Sequence, residues 1–337
     1  MVKANAYGHG DGVAARVFEE EGCEYFGVAI PEEGANLRDA GIRRPIVVLG
    51  GVFPEQIEEV FRLDLTPVVF DLKTAALLNE AAGKRKTRKE VHVKIDTGMG
   101  RLGVLPDGVE AFFRGFKGFA NLKLEGVLSH FADADSTDKK YSETQLSVFT
   151  KCLEAVRRSG LDTGLVHMGN SAAIVDMKAS HFNMVRPGIM LYGSCPASHF
   201  AGKIGLRAAL ELKTRVLLVK TLAPGDSVSY GRSFVAKRRS RVAVLPVGYG
   251  DGLPRGLSGK GTVLIRGQRA LIAGAVCMDL VMCDVTDIGD AEAGDEAVII
   301  GAQGKETITA EEVAEKTGTI SYEIFCGISG RVPRIYV

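Results

Sequence analysis

Residues 25–51 read YFGVAIPEEGANLRDAGIRRPIVVLGG, and their pattern decides the fold. Tyr25–Ile30 and Pro45–Gly51 are short apolar runs of the kind that form strands, and Pro31–Gly41 between them has helical apolar spacing. Strand, helix and strand in succession mean two parallel strands joined by a crossover. The unit recurs along the chain. Further strand-like runs lie at Thr66–Phe70, Val91–Thr97, Leu122–His130, Leu165–Gly169 and Asn183–Leu191, with helical stretches at Gly12–Gly22, Pro54–Leu63 and Tyr141–Gly160. About eight such repeats close into a barrel rather than an open sheet.

The expected fold is therefore α/β: a (β/α)8 barrel of TIM type over residues 1–204, followed by a mostly antiparallel β domain over 205–337. The second part reads as strands at Leu206–Lys220, Val242–Val247, Thr262–Ile265, Ala270–Ala275, Leu280–Val285 and Glu296–Ile300. They are punctuated by Pro224-Gly225-Asp226, Gly267 and Gly294-Asp295. The 41 glycines among 337 residues, against a usual ~7%, suit many tight turns between strands and helices. With 42 basic and 41 acidic side chains the net charge is +1, which gives no reason to expect a nucleic acid or polyanionic partner. No apolar run approaches the roughly 20 residues of a membrane span, and the N-terminus has no signal-peptide pattern. Cys23, Cys152, Cys195, Cys277, Cys283 and Cys326 lack metal-site or disulfide-framework spacing, as in a reduced cytoplasmic protein with no metal.

A barrel of this kind works at the C-terminal ends of its strands. Lys3, Arg101, His130, Asn170, Ser171 and Arg186 all fall at or just beyond one. The densest cluster is Val2-Lys3-Ala4-Asn5-Ala6-Tyr7-Gly8-His9-Gly10. A lysine near a chain start is ordinarily a solvated charge, but one crowded by small residues and led into a helix by Gly-x-Gly is placed to become a nucleophile or Schiff base. Lys94-Ile95-Asp96-Thr97-Gly98-Met99-Gly100-Arg101 runs a strand into a glycine-flanked arginine, whose forked donors suit a carboxylate. Ser129-His130-Phe131 ends a strand on a histidine, and His167-Met168-Gly169-Asn170-Ser171 offers helix-start donors that suit a phosphate or serve as a plain N-cap. Arg186 lies in an apolar run, Val185-Arg186-Pro187-Gly188-Ile189, and needs a partner because an unpaired buried charge is very costly. Each motif alone has an ordinary structural explanation.

Together these strings resemble the alanine racemase family over essentially the whole chain. The resemblance implies a homodimer that binds pyridoxal 5'-phosphate (PLP), each active site taking residues from both chains. Its activity would interconvert L- and D-alanine through an external aldimine and two-base proton transfer, supplying D-alanine for bacterial peptidoglycan. Residue by residue, Lys3 resembles the lysine that holds the cofactor and handles the proton of the D-enantiomer, and Tyr230 of Ser229-Tyr230-Gly231-Arg232 resembles the opposing base. Tyr7, Ser171, Gly188 and Ile189 resemble phosphate binders, with Asn170 beside them. Arg186 matches the donor to the pyridine nitrogen, and His130 the link from that arginine to the tyrosine. Arg101 and the Met278 backbone match groups that hold the substrate carboxylate. Tyr249, in Val-Gly-Tyr-Gly-Asp-Gly, matches a tyrosine at the substrate entrance. Lys94 falls where many members carry a carbamylated lysine that orients the arginine.

Two departures stand out. Family members carry a longer lead-in before the lysine motif, supplying a helix, most of the first barrel strand and a strand of the second domain. Only Met1 and Val2 precede Lys3 here, so the expectation is a trimmed or misassigned start, the alternative being a truncated protein that folds with an incomplete first strand. Gly330 also stands where some members place a phosphate-contacting tyrosine. Rival readings are a racemase for serine or a broader range, a PLP decarboxylase of similar barrel, and a non-catalytic PLP carrier. The decarboxylases present an acid to the pyridine nitrogen where this chain offers Arg186, and the carriers lack the second domain.

Overall fold

Strands covered on both faces are rich in Val, Ile and Leu, as in Ile46-Val47-Val48 and Val68-Val69, and such runs form the first sheet. A computed structural model describes residues 1–337. β1 (Phe26–Val28), β2 (Ile46–Val48), β3 (Thr66–Val69), β4 (Lys89–Lys94), β5 (Leu122–Leu128) and β6 (Leu165–His167) pair in sequence order, all parallel. Helices alternate with them: α2 (Asp11–Glu20), α3 (Pro31–Asp39), α4 (Ile57–Arg62), α5 (Leu72–Lys84), α6 (Val109–Phe116), α7 (Lys140–Arg158) and the short α8 (Ser171–Asp176). Ahead of them lies α1, a single turn over Lys3–Tyr7.

The barrel expected from the sequence is present, with shortened first and last staves. Beside β1 the first is Met1–Val2, where the Val2 N–H donates to Gly27 O (3.0 Å) and the Met1 amine to Pro187 O (3.1 Å). The expected strand Asn183–Leu191 is corrected to a single parallel bridge, His167 with Met184, plus the Arg186 N–H donating to Gly169 O. Pro187 has no N–H to give a ladder, and the chain turns into a 3-10 helix at Ile189–Tyr192.

Two compact units divide the chain. One holds Met1–Ala6, Gly10–Leu191 and Cys195–Gly205; the other holds Tyr7–His9, Tyr192–Ser194 and Leu206–Val337. In the second, β7 (Leu212–Arg215), β8 (Leu218–Leu222), β11 (Ser240–Leu245), β12 (Thr262–Ile265), β13 (Gln268–Ile272), β14 (Val281–Asp284), β15 (Glu296–Gln303) and β16 (Glu306–Ile308) make an antiparallel sheet; β9 (Ser227–Val228) and β10 (Phe234–Val235) pair apart. The predicted strand Leu206–Lys220 is broken, because β7 pairs with β15 and β8 with β11. Arg266 and Gly267, both at positive φ, form the two-residue turn between β12 and β13. Two helices absent from the sequence reading close the unit, α9 (Ala310–Thr317) and α10 (Ser321–Gly327). Thr309 caps α9 by accepting from the Glu312 N–H. No helix is long and apolar enough to cross a membrane.

The barrel's helices are held by apolar stripes. α6 buries Val109, Phe112, Phe113 and Phe116, and the Phe113 ring, fully buried, stands edge-on to Phe112 at 5.3 Å. Phe113→Ala should cost about 3–5 kcal/mol and lower the denaturant midpoint for loss of barrel structure. An unchanged midpoint would show that α6 does not anchor the barrel.

Candidate active site

The lysine motif folds into a left-handed helical turn. Ala4, Asn5, Ala6 and Tyr7 all sit at φ 52–53°, a region that costs a residue with a Cβ roughly 1–2 kcal/mol. Side chains around the turn hold it. One Glu33 carboxylate oxygen accepts from the Ala4 N–H (2.6 Å) and the other from the Ala29 N–H (2.7 Å), tying the turn to the end of β1. The Asn5 side chain accepts from the Asp11 N–H at the start of α2 (3.0 Å). Lys3, half-buried, is thereby fixed at the barrel's rim. Strain of this kind gathers at sites where geometry matters more than stability.

The guanidinium of Arg186 is buried in the barrel. Nη1 donates to His167 Nδ1 (2.7 Å) and His167 O (2.8 Å); Nη2 donates to Ser129 O (2.6 Å), Met168 O (3.1 Å) and His130 Nδ1 (3.2 Å). No carboxylate forms an ion pair with it. Burial pulls its pKa down to about 10, still cationic at neutral pH. Burial, and then Arg186 itself, hold both His130 and His167 well below the usual imidazole pKa. Both rings are neutral, and each must present a lone pair at Nδ1 because arginine only donates. The remaining proton of His130 is therefore on Nε2.

Arg101 is exposed at the end of a loop built around one acid. Asp96 Oδ1 accepts from the N–H groups of Gly98 (3.0 Å), Met99 (2.8 Å) and Gly100 (3.1 Å), and Oδ2 from that of Arg101 (2.8 Å). Burial alone would raise the Asp96 pKa, but the four backbone donors outweigh it and the net shift is downward. Lys94, buried at the end of β4, is drawn down to about 8, first by burial and then by the cations of Arg101 and Arg186. At the start of α8 the Asn170 side chain accepts from the Ala173 N–H (3.0 Å), an N-cap. Buried Ser171 Oγ accepts from the N–H groups of Gly188 (2.8 Å) and Met190 (3.5 Å), so its own O–H is left to donate.

The barrel thus buries Lys94 and the neutral His130 and brings the cations of Arg101 and Arg186 close enough to lower the pKa of both further, with Lys3 acting on the same two groups. In the second unit Tyr7 packs against Tyr192 and Tyr322, ring centroids 5.1 and 5.9 Å apart. Tyr230, Met278 and Tyr249 lie on its surface, 75%, 52% and 44% exposed. Tyr230 follows Ser229, held at φ 67° with its hydroxyl donating to Ala275 O (2.6 Å). Gly330 has open space where a side chain would begin. Sequence reasoning passed over Glu33, His92 and Glu125, and quoted Asp96 and His167 only as parts of motifs. The available signal was a polar residue inside an apolar strand, as in Val91-His92-Val93.

Cationic and hydroxyl groups raised on the C-terminal ends of parallel barrel strands define the class, an enzyme of the (β/α) barrel type. Family models for the alanine racemase N-terminal and C-terminal domains match residues 1–196 and 209–336. The alanine racemase of Halothermothrix orenii is 48% identical over 336 residues, covering 100% of this chain and 89% of the relative. That of Geobacter sulfurreducens is 46% identical, with the same coverage. Among solved structures, alanine racemase from Bacillus anthracis with bound L-Ala-P superposes with a TM-score of 0.93 at 37% identity, covering 100% of this chain and 87% of the other. The enzyme from Clostridium difficile 630 gives 0.92 at 36%, covering 98% and 86%. The chain belongs to the alanine racemase family, and is accordingly an isomerase.

The Asp96 loop has a pH signature. A folded pKa below the unfolded value of about 3.9 stabilises fully above that value, and the stabilisation is lost as pH falls through the lower, folded one. Hydrogen-exchange protection factors of the Gly98–Arg101 amides should hold above about pH 4 and fall in stronger acid, and in Asp96→Ala they should be low throughout. Protection indifferent to acid would remove the carboxylate from this role.

Proposed function

We propose that this chain is a PLP-dependent alanine racemase working as a homodimer, with its cofactor held by residues 1–204 and each site completed by the partner's second domain, 205–337. The observation that carries the reading is the Arg186 cluster: a buried, donor-only guanidinium flanked by two neutral histidines. Such a group suits an unprotonated ring nitrogen as acceptor, and a half-buried lysine with a buried serine hydroxyl suits an aldehyde and a phosphate. When bound, PLP supplies an electron-accepting ring that acidifies the substrate Cα.

The residues of the chain do the rest. The Lys3 amine would hold the cofactor and carry a proton to and from one face of Cα. Ser171, with Tyr7, Asn170 and the Gly188 and Ile189 backbone, would bind the phosphate. Arg186 would donate to the ring nitrogen but, always protonated, would be a poor acid toward it, a pairing that would limit electron withdrawal and so curb transamination. Arg101 and the Met278 backbone would hold the substrate carboxylate, with Tyr249 at the entrance. Tyr230 of the partner subunit would be the second base. A phenol needs help at neutral pH, and neutral His130, its Nδ1 engaged by Arg186, has an Nε2 proton to donate to the phenolate oxygen. A cytoplasmic enzyme of this kind would supply D-alanine for cell-wall peptidoglycan.

Two measurements bear on this reading. Tyr230→Phe should abolish exchange of the L-alanine Cα hydrogen with deuterated water while retaining exchange from D-alanine. Near-wild-type exchange from both enantiomers would end the two-base assignment. The Lys94 amine, largely neutral above pH 8, is poised to attack carbon dioxide, forming an N–C bond and releasing a proton to solvent; the anionic carbamate would attract Arg101 where an ammonium repels it. A carbamate carbon resonance in 13C-bicarbonate, lost in Lys94→Arg, is the expected result. A spectrum without it leaves Lys94 an unmodified amine.

A further inference from the structure

Behind Arg186 a line of buried side chains crosses the barrel interior away from the proposed site. His167 Nε2 lies 2.8 Å from His92 Nδ1, His92 Nε2 lies 3.2 Å from Glu125 Oε2, and the Tyr25 hydroxyl donates to Glu125 Oε1 at 3.2 Å. Both histidines are wholly buried, while the Glu125 side chain is 19% exposed. We propose that Glu125 is a positioning residue for Arg186, acting through His92 and His167 by fixing the tautomer of each ring. The proposal rests on the assignment of Arg186 above.

The donors and acceptors admit one consistent direction. The carboxylate only accepts, so His92 carries its proton on Nε2 and presents a lone pair at Nδ1. His167 must then donate from Nε2, which leaves its Nδ1 as the acceptor that Arg186 requires. Reversing either ring puts two N–H groups face to face at 2.7–2.8 Å. The chain runs from cation to anion through two neutral imidazoles, so Glu125 is the counter-charge that Arg186 lacks in direct contact. Desolvation holds His167 neutral, and the hydrogen bond from His92 lowers the Glu125 pKa despite burial.

The fold makes room for this line. The β4–β5 register slips between Val91, opposite Leu124, and His92, opposite Gly126, so Glu125 is the extra residue of a bulge. Bulges re-aim side chains, and this one aims Glu125 at His92. Gly126 vacates space for the ring, since a Cβ there would lie 2.8 Å from His92 Cε1. A barrel closed only by packing would fill these positions with aliphatic side chains.

The test is nitrogen NMR on the full-length chain labelled with 15N-histidine, alongside alanine racemisation. Wild type should show His92 and His167 as neutral rings protonated at Nε2; an Nδ1–H tautomer or an imidazolium at either position overturns the proposal without any variant. Glu125→Leu should give mixed tautomers at both rings and lower kcat roughly tenfold or more, by analogy with the carboxylates that orient metal-bound histidines, with the KM for alanine little changed. Glu125→Gln, whose carbonyl can still accept, should restore single tautomers and most of kcat. Tautomers unchanged in Glu125→Leu, whatever its melting temperature, would reduce the residue to a packing role. A wild type that fails to racemise alanine would undo the functional reading and leave the ring assignments standing.

Discussion

A guanidinium stripped of water must find donors' partners in every direction, and most of this barrel's interior is arranged around that requirement. The two Nη groups of Arg186 take three backbone carbonyls and two imidazole nitrogens, which satisfies those two groups as donors but not the charge. An uncompensated buried cation is among the costliest features a core can hold. The barrel answers with rings that stay neutral and accept, and with an anion placed two rings away. Burial, reinforced by the same cation, holds His130 neutral, and the hydrogen bond from that cation decides which of its nitrogens has a proton to give.

Around this fixed centre the barrel rim carries groups whose geometry is imposed against local preference. The left-handed turn of Lys3–Tyr7 is maintained by the Glu33 carboxylate and the Asn5 side chain, and the Arg101 loop by four backbone hydrogen bonds to Asp96. In the first case two acidic or amide side chains, and in the second a single aspartate, replace regular hydrogen bonding that the backbone gives up. Placement of the lysine and arginine backbones follows from these side-chain acceptors, Asp96 buried, Glu33 half-buried and Asn5 exposed, rather than from packing alone. Cations crowd together here. Burial and the cations of Arg101 and Arg186 lower the Lys94 pKa, and a site of that polarity is suited to a ligand bearing a carboxylate and a phosphate.

In the second unit, large side chains that would normally seek burial remain exposed. Tyr230, Met278 and Tyr249 stand on its surface, as do Leu217 and Leu218. Tyr and Met are among the side chains enriched where a second chain covers a surface, which fits the proposed homodimer.

Alternation of apolar runs and helical spacing was enough to specify parallel strands, because period and burial are written locally. The residues at strand ends were likewise legible, since Lys3, Arg101, His130 and Arg186 stand in motifs that need only be read in order. Pairing was not legible. Whether Asn183–Leu191 would join the ladder depended on Pro187 and on what lay beside it, and the run Leu206–Lys220 divided because its halves meet different partners. Nor could one-dimensional spacing reveal that His92, Glu125 and His167, on three separate strands, form one line to Arg186. That line exists because a single bulged residue and a missing Cβ at Gly126 align them, and alignment across strands is a property of register, which only the folded barrel sets.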